Sequence, residues 1–196
     1  MAISLVKGQK ISLEKESGGG LTQVIMGLGW DAAKKKGGIL NAIFGSTPDN
    51  IDLDASCALF DDNKQLVDSV YFGQLKSKDG SIVHTGDNLT GDGEGDDEQI
   101  IVNLQKVPDK VKSLVFTVNS YRGQTFNEVE NAYCRLVNKS NNNEIARYTL
   151  SGGGPHTAMI MAKVYRHDNE WKMAALGEAT TGQTIKDLLP ALVTTL

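Results

Sequence analysis

Apolar and polar residues alternate with a period of two along most of this chain, and that period predicts β-strands. The first runs are ISLVK (residues 3–7) and KISLEK (10–15), joined by a turn at Gly8–Gln9. LTQVIMGLGW (21–30) follows three glycines, and IDLDASCALFD (51–61) leads through a turn at Asp61–Asp62–Asn63 into QLVDSVYF (65–72). Asp79–Gly80 between QLKSK (74–78) and SIVHT (81–85) suits the positive φ angles of a tight hairpin. Later runs are QIIVNL (99–104), SLVFTVNSY (113–121), NAYCRLVN (131–138), EIARYTL (144–150), TAMIMAKVYRH (157–167) and WKMAALGEA (171–179).

Helical patterning is weaker. DAAKKKGGILNAIF (31–44) holds a turn or two, TFNEVEN (125–131) a short helix, and TIKDLLPALV (184–193) a terminal helix that Pro190 should end or kink. KESGGG (15–20) and SGGGP (151–155) read as mobile surface loops, and no internal repeat is present. Many short strands with few helices predict an all-β fold, a two-sheet β-sandwich with a few short helices or a partly closed barrel. At 196 residues the expectation is a single domain spanning 1–196.

Charge changes this picture at one place. In HTGDNLTGDGEGDDEQI (84–100), Asp87, Asp92, Glu94, Asp96, Asp97 and Glu98 fall within twelve positions that hold no Lys or Arg. Setting these six aside from the net charge of −4 leaves the remainder at +2, so the acidity is local. A nucleic-acid protein would show a basic face, and direct nucleic-acid binding is not expected. Nor does any apolar run reach the roughly 18 residues of a membrane-spanning helix, and the N-terminus has no signal-peptide core, so the expected location is cytoplasmic.

Six carboxylates at about 10 Å separation repel by on the order of 2 kcal/mol in total once salt screens them. A hard cation reverses that balance, because calcium takes 6–8 oxygen ligands and glycine lets carbonyls turn inward beside carboxylates. The segment 87–98 is not an EF-hand: Leu89, Gly91 and Gly93 occupy ligand positions, and the flanks read as strands. Further donors come from NIDLDAS, where Asp52 and Asp54 are two apart and so face one side of a strand, with Asn50 ahead of them. Eight carboxylates against one divalent ion leave −6 and against two leave −4. That balance favours a two-ion site with Asp31 of GLGWD as an extra ligand.

The cysteines, Cys57 and Cys134, sit in apolar strand-like contexts without a CxxC partner and read as buried free thiols. His84, His156 and His167 fall in no hydrolase arrangement, which leaves a non-catalytic binding module as the leading reading. A calcium-dependent hydrolase, and a calcium-bridged phosphate- or lipid-binding module, stand as alternatives.

The blocks GLGWD, DLDAS, GSIVHTGDNLTGDGEGDDEQIIVNL, VPDKVKSLVFTVNSY and FNEVENAYCRLVN together resemble the successive signatures of the TerD family of bacterial tellurium-resistance and stress-response proteins. The resemblance implies a β-sandwich that binds calcium, typically two ions close together, between the DLDAS strand and the GDNLTG loop. It implies no catalytic activity, and it implies partners among other stress-response or tellurium-resistance proteins, in complexes at the inner face of the membrane. Carried onto this chain, the metal candidates are Asp31, Asp52, Asp54, Asp87, Asn88, Asp92, Glu94, Asp96, Asp97 and Glu98. Two departures stand out: AAKKKGGILNAIFGSTPDNI (32–51) is long and basic with Lys34, Lys35 and Lys36, and Asn50 stands where the family often has an acid. The first predicts a surface excursion whose apolar half packs on the sandwich, or else a docking element.

Overall fold

The structure, a computed structural model, describes residues 2–32, 52–86, 95–150 and 153–196. The long basic excursion, Asn50, and Asp87, Asn88, Asp92 and Glu94 lie outside the described residues. Two six-stranded sheets stack face to face, as the period-two pattern predicts. In the first, β1 (Ile3–Ser4), β10 (Asn143–Thr149), β9 (Val129–Asn138), β3 (Gln23–Ala32), β7 (Glu98–Asn103) and β6 (Ile82–His84) lie side by side in that order. In the second the order is β2 (Lys10–Ser12), β12 (Glu170–Thr180), β11 (Ala158–His167), β8 (Ser113–Ser120), β4 (Leu53–Phe60) and β5 (Leu66–Val70).

Alternate residues from both sheets fill the space between them, including Met26, Leu28, Ile100, Leu53, Cys57 and Phe116. Strand β4 is buried on both faces. Leu53, Cys57 and Leu59 point into this core, while Ala58 and Phe60 point outward beneath the helix α2 (Ile185–Thr194), which covers them with Ile185, Leu188 and Leu192.

Three local expectations are corrected and a fourth is borne out in shorter form. The run KISLEK is a strand only to Ser12, whose side chain accepts the Lys15 N–H and so caps α1 (Leu13–Ser17), a five-residue helix that takes Lys15–Ser17 out of the expected glycine loop. The first two strands do not form a hairpin: β1 pairs in parallel with β10 and β2 antiparallel with β12, in different sheets. The 74–85 hairpin forms but is short: a Lys76–Val83 bridge flanked by hydrogen bonds from Ser77 N–H to the Ile82 carbonyl and from His84 N–H to the Leu75 carbonyl, around Asp79–Gly80 with Gly80 at φ 74°. Pro190 lies inside α2 without ending it, because in a ten-residue helix its missing N–H forfeits one hydrogen bond and three buried side chains hold the helix to the sheet. Where TFNEVEN predicts a short helix, a 3-10 turn runs from Phe126 to Glu128.

Candidate metal site at the acidic segment

The acidic segment connects β6 to β7 at one end of the first sheet, and both of its stems are fixed. On the incoming side His84, 2% exposed, ends β6. Its Nδ1 accepts the Gly86 N–H at 3.1 Å, so Nε2 carries the hydrogen and faces the Ala55 carbonyl and Glu98 Oε2, each at 3.2 Å. On the outgoing side Glu98, 1% exposed, accepts the Ala55 N–H at 2.7 Å. Both stems therefore reach across the sandwich and grip β4 at the residue after Asp54.

Asp96 and Asp97 split to opposite tasks. Asp97 Oδ2 accepts the Trp30 N–H at 2.8 Å, and its own N–H bonds the Leu28 carbonyl. Burial pushes the Asp97 carboxyl above its ordinary value; the Trp30 N–H opposes this, and the charges of Asp31, Asp96 and Glu98 add to the rise. Asp96 turns instead to the outer face of the first sheet. There Arg135 Nε and Nη2 donate to its two oxygens at 2.7 and 3.0 Å, and Gln99 Nε2 donates at 3.1 Å. The Tyr133 hydroxyl donates to the Gly95 carbonyl at 2.7 Å and lies 3.1 Å from Asp96 Oδ1. Arg135 also pairs with Glu144, which pairs with Arg147, whose guanidinium stacks 4.3 Å over the Tyr133 ring. Burial and the Asp96 charge push the Tyr133 phenol up to about 12.

This arrangement explains the glycines of GLGWD. A Cβ on Gly27 would lie 2.1 Å from Asp96 Oδ2, and one on Gly29 would lie 2.5 Å from the Tyr133 ring, so the bare β3 backbone is the seat of the loop anchor.

Asp52 and Asp54, at the start of β4, are 6% and 4% exposed, against the usual solvent-facing fate of strand carboxylates. Asp52 Oδ2 forms an ion pair with Arg122 Nε at 3.1 Å, and Asp54 stands opposite Asn119 in the β4–β8 ladder. Asp31 is exposed at the end of β3 and accepts from Asn131 Nδ2 at 2.7 Å. The structure thus brings Asp52, Asp54 and the stem residues Asp97 and Glu98 to one end of the sandwich. It gives Asp96 to Arg135, and it holds Glu98 to Ala55 and His84. Among the described residues no group of three or more His, Cys, Asp or Glu side chains is arranged to hold a metal. Arg122 and Asn119 are the neighbours that sequence reasoning missed; for Asn119 the signal was an amide among the polar residues Thr117, Asn119 and Ser120 of the strand LVFTVNS.

Cys57 and Cys134 are fully buried free thiols, Cys134 pushed up to about 12 by burial and Cys57 higher still. Among the described residues no helix is long and apolar enough to cross a membrane.

The TerD domain profile matches residues 1–191. The chain is 50% identical to a tellurium resistance protein, TerZ, of Serratia marcescens over 95% of its own length and 94% of that protein's. It is 45% identical to the stress response protein SCP2 of Bacillus subtilis over 98% of its length and all of that chain. Among solved structures, a homologue of the telluride resistance protein TerD from Streptomyces coelicolor superposes with a TM-score of 0.63 at 17% identity, covering 87% of this chain and 96% of that one, which shows a shared fold. The chain belongs to the TerD family of bacterial tellurium-resistance and stress-response proteins.

Proposed function

We propose that this protein is a non-catalytic calcium-binding module of the bacterial stress response, in which the metal orders the acidic segment into a surface that recruits other stress-response proteins. One observation carries the reading: two buried carboxylates, Asp52 and Asp54, lie at the head of the strand to which His84 and Glu98 fasten both stems of an acid-rich segment. Asp52 already has one counter-charge in Arg122, and the remaining donors, all oxygen, suit a hard cation beside it. The fit is with calcium, held by Asp52, Asp54 and Asp97 together with Asp87, Asn88, Asp92 and Glu94, and two ions match the excess of carboxylates. Asp31 is an outlying donor. Asp96 and Glu98 act as anchors that place the others.

When bound, the ion supplies positive charge that relieves repulsion within the segment. An ion that binds only the folded state stabilises it by a few kcal/mol at saturation, enough to outweigh repulsion on the order of 2 kcal/mol. Relatives named for tellurium resistance and for stress response support a role in such responses; partners of the same kind and a cytoplasmic setting at the inner membrane face belong to the proposal itself. Calorimetry of chelator-stripped protein with calcium and with magnesium tests the proposal. Calcium binding at micromolar affinity that is lost in Asp54→Asn supports it; no heat and no thermal shift with calcium overturn it.

A further inference from the structure

Asn119 is 1% exposed, and its two amide atoms meet different surroundings. Nδ2 donates to the Gln183 carbonyl at 2.7 Å, which fixes the orientation of the amide and turns Oδ1 the other way. That oxygen is buried and has no hydrogen-bond partner among the described residues. In the β4–β8 ladder Asn119 stands directly opposite Asp54, and cross-strand partners on one face hold their Cβ atoms about 5 Å apart. A buried amide oxygen therefore shares its surroundings with a buried carboxylate. Two acceptors have nothing to offer each other. A carbonyl oxygen buried without a donor is destabilising, and a cation removes that cost where a second carboxylate would add repulsion.

We propose that Asn119 Oδ1 is a neutral oxygen ligand to the ion held by Asp54, an inference that rests on the calcium reading above. Calcium accepts Asn carbonyl oxygens beside carboxylates, and a neutral donor adds to coordination without adding to an already excessive negative charge. The same side chain ties the site to the start of α2, because Gln183 immediately precedes the Thr184 N-cap of that helix. The ligand is thus held on a rigid support on the second sheet, independent of the acidic segment.

The test is calcium calorimetry and calcium-dependent thermal denaturation of wild type, Asn119→Ala and Asn119→Asp. The proposal expects Asn119→Ala to weaken calcium binding at least about tenfold, the low end of what losing even an outer-shell partner costs a metal site. It expects Asn119→Asp to melt lower than wild type in chelator but to gain more from calcium, since only an ion relieves the new repulsion with Asp54. A purely structural role for Asn119 would shift the melting temperature equally with and without calcium. Wild-type affinity in Asn119→Ala, or equal calcium-induced gains in Asn119→Asp and wild type, overturns the inference while leaving the calcium reading intact. If Asn119→Ala does not fold in chelator, Asn119→Asp decides alone. Absence of calcium binding by wild type overturns both.

Discussion

The Glu98 carboxylate, on the first sheet, accepts the backbone N–H of Ala55, on the second, at 2.7 Å and with almost no exposure to solvent. A side chain thus supplies a hydrogen bond between the two sheets, beside the contact of His84 with the Ala55 carbonyl, and it does so one residue from Asp54. Replacing Glu98 by Ala leaves a buried donor unsatisfied, and the expected loss is roughly 1–3 kcal/mol in urea denaturation. Glu98→Gln keeps an acceptor of the same shape and should lose less. Equal stability of Glu98→Ala and wild type would show that the clamp contributes nothing.

Asp68 governs part of the acid sensitivity. Burial raises its carboxyl, but the N–H groups of Lys78 and Ser69, the Gln74 amide and the Lys78 charge outweigh this and hold it below its ordinary value of 3.8. Glu144 is held down in the same direction by its hydrogen bonds to Arg147 and Arg135. A depressed carboxyl contributes stability that is complete above its unfolded value and is lost as pH falls through its folded one. Stability should therefore fall with pH below about 4, and Asp68→Asn should flatten that limb while lowering the neutral-pH plateau. An acid limb unchanged in Asp68→Asn would refute the assignment.

The thiols should be inert in the native state. Thiolate is the reactive form, and burial holds both cysteines far from ionisation at pH 8. Titration with a disulfide reagent is expected to label neither in native protein and both in denaturant. Rapid native labelling of Cys57 or Cys134 would refute that expectation.

The strands were legible because alternation survives wherever one face meets the core, as in QIIVNL and NAYCRLVN. What stayed hidden depended on contacts distant in sequence. Ser12 reads as one more strand residue until its side chain caps α1, and β1 reads as half of a hairpin until it pairs with β10. At the site, composition marked every acid but could not sort them. The division of labour between Asp96 and Asp97 follows from the β3–β9 register, which sets Gly27 beside Arg135 and leaves Asp96 room above that glycine. Asn119 escaped notice because its meaning comes from standing opposite Asp54.

That division of labour gives the sharpest separation of anchoring from binding. Asp96 has a side chain only 1% exposed and engaged at both oxygens by Arg135, itself 28% exposed. Removing the arginine leaves a buried carboxylate without its counter-charge, and Arg135→Met should cost roughly 3–5 kcal/mol, the range for breaking one half of a buried pair. Gly27→Ala should act on the same contact, since its Cβ needs the space that Asp96 fills. Asp96→Asn keeps the shape, loosens the arginine and should lower the melting temperature in chelator. Because its oxygens face the outer side of the first sheet, calcium affinity should change by less than about tenfold, whereas Asp54→Asn should abolish it at micromolar ion. Calorimetry on the two variants in parallel decides the matter. If Asp96→Asn abolishes calcium binding while its chelator-state stability matches wild type, Asp96 is a ligand and the Arg135 pair gives way when the ion arrives.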